Sequence, residues 1–418
     1  MELYSTSSKG ICGRIKQRYS DFIVEEIGLW GNAEVKRFLL EDALNKATPI
    51  EVPENENPRE KPQLLCELEK YNADTNFVMR RVSRFLQLSR KRFGFAGMKD
   101  KRAITSQFIT IFSPDPEKLK LFQSRTIDIR PIKWQSERIE LGSLKGNKFT
   151  ITIRNLELEK KELEKKIKEF FKETEKNGIA NFFGEQRFGG IRQVSHLIGR
   201  EFVRGNIKEA AMLFLTFPSE RERDDIKSAR KNLLETMDFA NASKEFPIEY
   251  RPERAMIHHL CKYPNDFAGA FRKLQKQLRF LFMHAYQSHL FNLVIEERLK
   301  QGFGLKKISG DVLIEGKLGA ALFGFESEIA EGKAGEIEKK ILEAEGVKLE
   351  DFKVSEMPEV SSKGSRKGIV LIPEKMKLIE TGKDEFNEGK LYAKISFSLE
   401  KGNYATTVLR ELMKSVVE

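Results

Sequence analysis

A chain of 418 residues, 40% of them apolar and 33% charged, can bury two or more separate cores and does not have the composition of a disordered protein. Its 74 lysines and arginines outnumber 63 acids, a net charge of +11 that points to a polyanionic partner, of which nucleic acid is the commonest. The three cysteines, Cys12, Cys66 and Cys261, form no CxxC pair, which excludes a disulfide framework and a cysteine zinc site and fits a reducing cytoplasm. The opening MELYSTSSKGICGRIKQ lacks the apolar core of a signal peptide, and no apolar run approaches the ~20 residues that span a bilayer. The expectation is a soluble, cytoplasmic, monomer-sized chain with no membrane partner.

In chain order, GRIKQRYSDFIVEE (13–26) reads as an early strand. In an extended chain, Arg14, Lys16 and Arg18 would share one side. Three prolines in VPENENPREKPQ mark a loop, and LLCELEKY follows as a short buried strand. DTNFVMRRVSRFLQLS has Asp74 or Thr75 placed as a helix N-cap, with Phe77, Val78, Val82, Phe85 and Leu86 on one face. The other face carries Arg80, Arg81 and Arg84 without an acid, a candidate phosphate-binding surface. This helix leads into GFAGMKDKRAITSQ (94–107), where Asp100 is the only acid among nine basic residues counted from Arg80 to Gln107. Gly94 and Gly97 suit a tight turn, and ITSQFITIF reads as a strand. Asp100 is therefore expected on a loop at the mouth of a buried strand, ionised by its neighbours Lys99, Lys101 and Arg102.

LGSLKGNKFTITIR is a further strand; its glycines and Lys148 do not have P-loop spacing. LEKKELEKKIKEFFKETEKNG is an amphipathic helix stopped at Asn177-Gly178. NFFGEQRFGG (181–190) is unlike a core segment, with three phenylalanines, three glycines, two amides and Arg187 in ten residues. Aromatics offer faces for a nucleobase and amides can read base edges. From about 205 the chain becomes mostly helical. The run from Asp266 to Gly302 is too long for one globular helix and should break, and its second half has a polar patch of Tyr286, Gln287, Ser288, His289 and Asn292. His284 and His289 do not have HExxH spacing, so no metal site is expected. DVLIEGKLGAALFGF suggests a hairpin, and SSKGSRKG (361–368) a flexible basic loop that either touches phosphate or serves as a linker. Strands return in GIVLIP and KLYAKISFSL before a closing amphipathic helix, so the helical middle, 205–367, reads as an insertion into a first domain made of 1–204 and 368–418.

Taken together, GFAGMKDKRAITSQ resembles the GxKDxxAxTxQ signature of the TruD family of tRNA pseudouridine synthases. SDFIVEE, NFFGEQRFGG, YQSHLFN and FSLEKGNYATTVLREL are similar to further segments of that family, in the same order and across essentially the whole chain. The resemblance implies an α+β fold: a mixed, largely antiparallel pseudouridine synthase sheet with a large inserted α/β (TRUD) domain, the two forming a V-shaped cleft. It also implies isomerisation of a tRNA uridine in the D-arm region, at position 13, with neither cofactor nor metal. By that resemblance Asp100 is the essential aspartate, Lys16 the active-site lysine and Phe22 the aromatic of the Asp-Phe pair. Asn181 and Phe183 are the loop residues, and Tyr404 stands where relatives often carry phenylalanine. Phe183 and Tyr404 would sandwich the flipped uracil, Asn181 would bind polar atoms of backbone or base, and Gln107 would either orient the loop or sit structurally in the sheet. The RNA-facing set is Arg80, Arg81, Arg84, Lys99, Lys101, Arg102 and Arg187. A non-catalytic tRNA-binding protein or RNA chaperone is the alternative. A glycoside hydrolase fits poorly, because only Glu25, Glu26 and Glu185 offer a second carboxylate.

Overall fold

The computed structural model of the chain describes residues 3–415. It divides into two compact units, one of Thr6–Gly178 with Ile372–Glu418 and the other of Met1–Ser5 with Ile179–Leu371. The expected divisions at 204/205 and 367/368 thus move to 178/179 and 371/372. The reason is local: Ile179–Ala180 pairs with Val370–Leu371, and the loop and helix that follow it are packed within the helical unit.

The sheet unit is built on nine strands among the described residues. Its continuous path runs Glu374–Lys383, Leu391–Glu400, Gly146–Leu156, Phe22–Gly28, Ile104–Phe112, Gln63–Tyr71, Ile127–Gln135. Every neighbouring pair along it is antiparallel except Phe22–Gly28 with Ile104–Phe112, which is parallel, so the sheet is mixed and largely antiparallel as expected. The Gln63–Tyr71 and Ile104–Phe112 strands are mostly buried on both faces because both faces are covered. Leu64, Cys66, Leu68, Ile109 and Ile111 join Val78, Val82 and Leu86 of the Thr75–Leu86 helix in one core, while Leu65 and Phe108 join Ala33, Ala96 and Ile139 in another. Asp74 caps that helix by accepting from the Phe77 N–H at 3.1 Å. Phe77 and Phe85, expected inward, are 47% and 42% exposed. They flank the buried stripe, and Phe85 packs edge-on against Phe122.

The early strand is shorter than expected and begins only at Phe22. Before it, Cys12, Gly13 and Lys16 have φ of 57°, 96° and 58°. Arg14 forms an isolated bridge to Arg154. The left-handed Lys16 breaks period-two alternation, so Arg14, Lys16 and Arg18 do not line one side of an extended chain. An ionic knot closes this segment. Arg154 pairs with Asp21 at 2.8 Å, Asp384 at 3.1 Å and Glu385 at 2.9 Å, while Asp21 also accepts from the Arg18 N–H at 2.7 Å.

In the helical unit the long apolar run breaks into Phe267–Arg272 and Lys276–Lys300. The second of these is central, buried on most of its circumference, and its polar patch is satisfied internally. Gln287 donates to the Phe323 carbonyl at 2.6 Å and Ser362 Oγ at 2.8 Å, and Ser288 donates to the His284 carbonyl at 2.7 Å. The expected hairpin forms from Val312–Ile314 and Lys317–Leu322. SSKGSRKG is not wholly a loop: Ser365–Gly368 adds to that hairpin as a third strand, with Lys367 opposite Ala320. No helix among the described residues is long and apolar enough to cross a membrane.

Candidate active site

Asp100 lies in the loop between Phe93–Phe95 and Ile104–Phe112. Gly94 allows the start of this loop to pass against its neighbours, since a Cβ there would come within 2.5 Å of the Ile139 carbonyl oxygen and of Thr110 Oγ1. Because Phe22–Gly28 and Ile104–Phe112 run parallel with Ile23 opposite Ile104, the segments carrying Lys16 and Asp100 lead into neighbouring strands from the same side. Lys16 Nζ reaches Asp100 Oδ1 at 3.7 Å and sits 4.1 Å from the centroid of the buried Phe22 ring. The left-handed backbone at Lys16 is a local strain of the kind that persists where surrounding structure over-determines it. Asp100 keeps 34% of its side chain exposed, so the carboxylate is accessible.

The loop beneath Asp100 is held by buried groups on three elements. Gln107, fully buried, donates through Nε2 to the Gly97 carbonyl at 3.1 Å and accepts from Thr75 Oγ1 at 3.4 Å. Thr75 Oγ1 in turn accepts from the Lys99 N–H at 3.2 Å. Gln107 therefore sits inside the sheet and also restrains the loop. Lys99, expected to face RNA, is instead buried in an ion pair with Glu26 at 2.6 Å. Glu26 accepts from the Phe108 N–H at 3.2 Å as well. Lys99 leaves the RNA-facing set because its charge is neutralised in the interior. Glu25 is likewise occupied, by Lys148 at 2.7 Å.

One residue of the site went unnoticed in the sequence. Lys70, fully buried in the Gln63–Tyr71 strand, donates through Nζ to the carbonyls of Asp100 at 2.6 Å and Lys99 at 3.3 Å. A signal was present: counting by twos from Leu64, Cys66 and Leu68 puts Lys70 on the core face, where a lysine needs polar partners. Burial pushes its ammonium down from 10.5 to about 8, against the pull of Asp100 and Asp74, while Lys99 adds to the push. The unfolded chain therefore binds more protons than the folded one between pH 8 and 10.5, and folding gains stability as pH rises through that window. Denaturant unfolding at pH 7.5 and 10 should show a gain larger by about 2.4 kcal/mol in the wild type than in Lys70→Met. Equal pH dependence in the two proteins would show that Lys70 does not titrate there.

Arg80, Arg81, Arg84, Lys101 and Arg102 are all exposed. None of the three helix arginines has an ion-pair partner among the described residues. Tyr404 precedes the closing Ala405–Met413 helix and is 41% exposed, an open aromatic face. It makes no hydrogen bond, ion pair or ring contact with the Asp100 cluster among the described residues.

Asn181, Phe183 and Arg187 belong to the helical unit. Asn292 clamps both backbone groups of Phe183, accepting from its N–H at 2.9 Å and donating to its carbonyl at 3.0 Å. Phe291 packs edge-on against the Phe183 ring, which is only 6% exposed and is not an open stacking face. Asn181 Nδ2 donates to the Gly368 carbonyl at 3.0 Å, a backbone contact within the unit. Arg187 Nε donates to Ser288 Oγ at 3.0 Å, and its guanidinium lies over the Phe183 ring. No group of three or more His, Cys, Asp or Glu side chains is placed to hold a metal ion among the described residues.

Comparison with known proteins agrees with this architecture. The family model for tRNA pseudouridine synthase D (TruD) matches residues 1–412. A Methanococcoides burtonii protein named "Probable tRNA pseudouridine synthase D" is 36% identical over 447 residues, covering 99% of this chain and 96% of that one. A protein of the same name from Methanopyrus kandleri is 38% identical over 357 residues, covering 85% and 86%. The crystal structure of a Methanosarcina mazei protein, also carrying the tRNA pseudouridine synthase D (TruD) name, superposes with a TM-score of 0.81 at 36% identity, covering 99% of this chain and 96% of that one. A family model matching residues 1–412 and relatives 36–38% identical over most of both chains show that the chain belongs to the TruD family of tRNA pseudouridine synthases.

Proposed function

We propose that this chain isomerises a uridine in the D-arm region of tRNA, at position 13, to pseudouridine, with Asp100 as the reacting carboxylate. The observation that carries this reading is the accessible Asp100, set on a loop fastened by Lys70, Gln107 and Lys99 and facing the Lys16 ammonium. The target uridine has to leave its stack for the carboxylate to reach it. The N1–C1′ bond breaks, C5 joins C1′, the hydrogen on C5 leaves as a proton and N1 takes one up. Asp100 serves either by attacking C1′ or by removing a sugar proton to give a glycal. Lys16, 3.7 Å away, holds the carboxylate in place, and the exposed ring of Tyr404 supplies a stacking face. The isomerisation is redox-neutral and balances without a co-reactant, so neither cofactor nor metal is invoked.

Tritium release from C5-labelled uridine in tRNA tests this reading, because only formation of the C5 glycoside displaces that hydrogen. Release in stoichiometry with the modified nucleotide, mapped by pseudouridine-specific chemical modification, is the expected result. Tight tRNA binding without release would instead identify a non-catalytic RNA-binding protein. The arginine face is tested separately. Arg81→Ala with Arg84→Ala should lower the slope of log affinity against log salt by about 1.4–1.8 if both contact phosphate. An unchanged slope would make this a solvated face.

A further inference from the structure

Lys367 is a cation of the helical unit without a counter-charge among the described residues. It lies partly buried in the Ser365–Gly368 strand, and among the described residues it has no acid and no hydrogen-bond acceptor. Its ammonium lies 5.3 Å from the centroid of the Phe183 ring. Other interior cations of the chain have partners: Lys99 has Glu26, Arg298 has Asp311, Arg230 has Glu222 and Glu253, and Lys70 has two carbonyls.

The placement is built by the backbone. Val370 and Leu371 pair with Ala180 and Ile179, the Asn181 N–H donates to the Ile369 carbonyl at 2.9 Å, and Asn181 Nδ2 holds Gly368. These contacts carry the Lys367 strand alongside the loop that bears Phe183. Asn292 and Phe291 then fix the ring, and Arg187, steered by Ser288, brings a guanidinium onto the same ring at 5.5 Å. Both cations lie within 5.5 Å of the centroid of one fixed ring, and burial gives Lys367 a desolvation cost that the ring offsets by only about 0.5–2 kcal/mol. A bound anion would remove that imbalance. Burial alone holds the Lys367 ammonium down, from 10.5 to about 8, which agrees with a cation awaiting its counter-charge.

We propose that Lys367 binds a phosphodiester oxygen of the substrate RNA, with Phe183 as the fixed floor that keeps its ammonium in place. The proposal rests on the reading of the chain as a tRNA-modifying enzyme and adds a phosphate contact in the Asn181–Arg187 region. In this arrangement Phe183 serves by positioning a cation.

The experiment measures tRNA affinity across a salt series, and thermal stability without RNA, for wild type, Lys367→Met and Lys367→Arg. With a phosphate contact, Lys367→Met weakens binding by about tenfold and lowers the salt slope by about 0.7–0.9. It also leaves the Tm unchanged or raised, since a partly buried charge without a counter-ion has been removed, and Lys367→Arg restores the slope. If Lys367 serves only to pack on Phe183, the Met variant melts lower with unchanged affinity and slope, which overturns the proposal. Weaker binding with an unchanged slope assigns the contact to a base or sugar, and that also overturns it. Failure of the wild type to release tritium from labelled tRNA would bear on the enzymatic reading, and the salt series would still decide the Lys367 contact.

Discussion

Replacing Asp100 by asparagine is expected to abolish pseudouridine formation, at least about 10³-fold below wild type, while tRNA affinity stays within about threefold. Asparagine matches aspartate in shape but can neither attack C1′ with a charged oxygen nor take up a proton. The substitution touches little else. The main-chain carbonyl of Asp100 remains held by Lys70 at 2.6 Å, and Lys16 remains over the Phe22 ring. The pair that is lost is 3.7 Å long and partly exposed, so its contribution to stability is within about 1 kcal/mol. Tritium release reads the chemistry, filter binding reads the affinity, and a thermal melt confirms that the variant is folded. Turnover near the wild-type rate in a folded Asp100→Asn protein would remove Asp100 from the reaction.

The second large effect is one of stability. Lys99→Met leaves the Glu26 carboxylate buried and without its 2.6 Å partner, a loss expected to cost about 3–5 kcal/mol in denaturant unfolding. Glu26→Gln keeps a carbonyl oxygen for the Phe108 N–H, so the double variant Glu26→Gln with Lys99→Met should recover more than half of that loss. The residue next to Asp100 would thus act on activity through the loop it anchors. If Lys99 instead contacted RNA, Lys99→Met would leave unfolding unchanged and lower the salt slope of binding. Neighbouring Lys101 and Arg102 are exposed, so removing their charges should leave stability within about 0.5 kcal/mol.

Much of the site could be read along the chain because its chemistry is local. A lone acid among nine basic residues, two glycines before it and a β-branched run after it are enough to place Asp100 on a loop at the start of a strand. The Thr75–Leu86 helix and its cap, the strand that follows Asp100 and the break in the long apolar run are likewise set by periodicity and capping. What the chain could not reveal was which charges face inward. Lys99, Lys101 and Arg102 are alike in sequence, yet only Lys99 meets an acid in the interior, because strand pairing brings Glu26 to it.

The family resemblance puts Lys16 in the active site, but residue spacing alone places it in a row of cations on an extended segment. A single left-handed residue, which no propensity of lysine foretells, turns it onto Phe22 and Asp100. Lys367 lies in a segment whose composition suggests a flexible basic loop, and pairing with Lys317–Leu322 makes it part of a strand. By itself the sequence pointed to most of the elements and to the family, and singled out Asp100 as the candidate carboxylate, since these depend on residue types at short spacing. Only the tertiary structure decided the partner of each cation, because ion pairs and cation–π contacts form between residues that are far apart in sequence and meet only when the sheet and the helical core assemble.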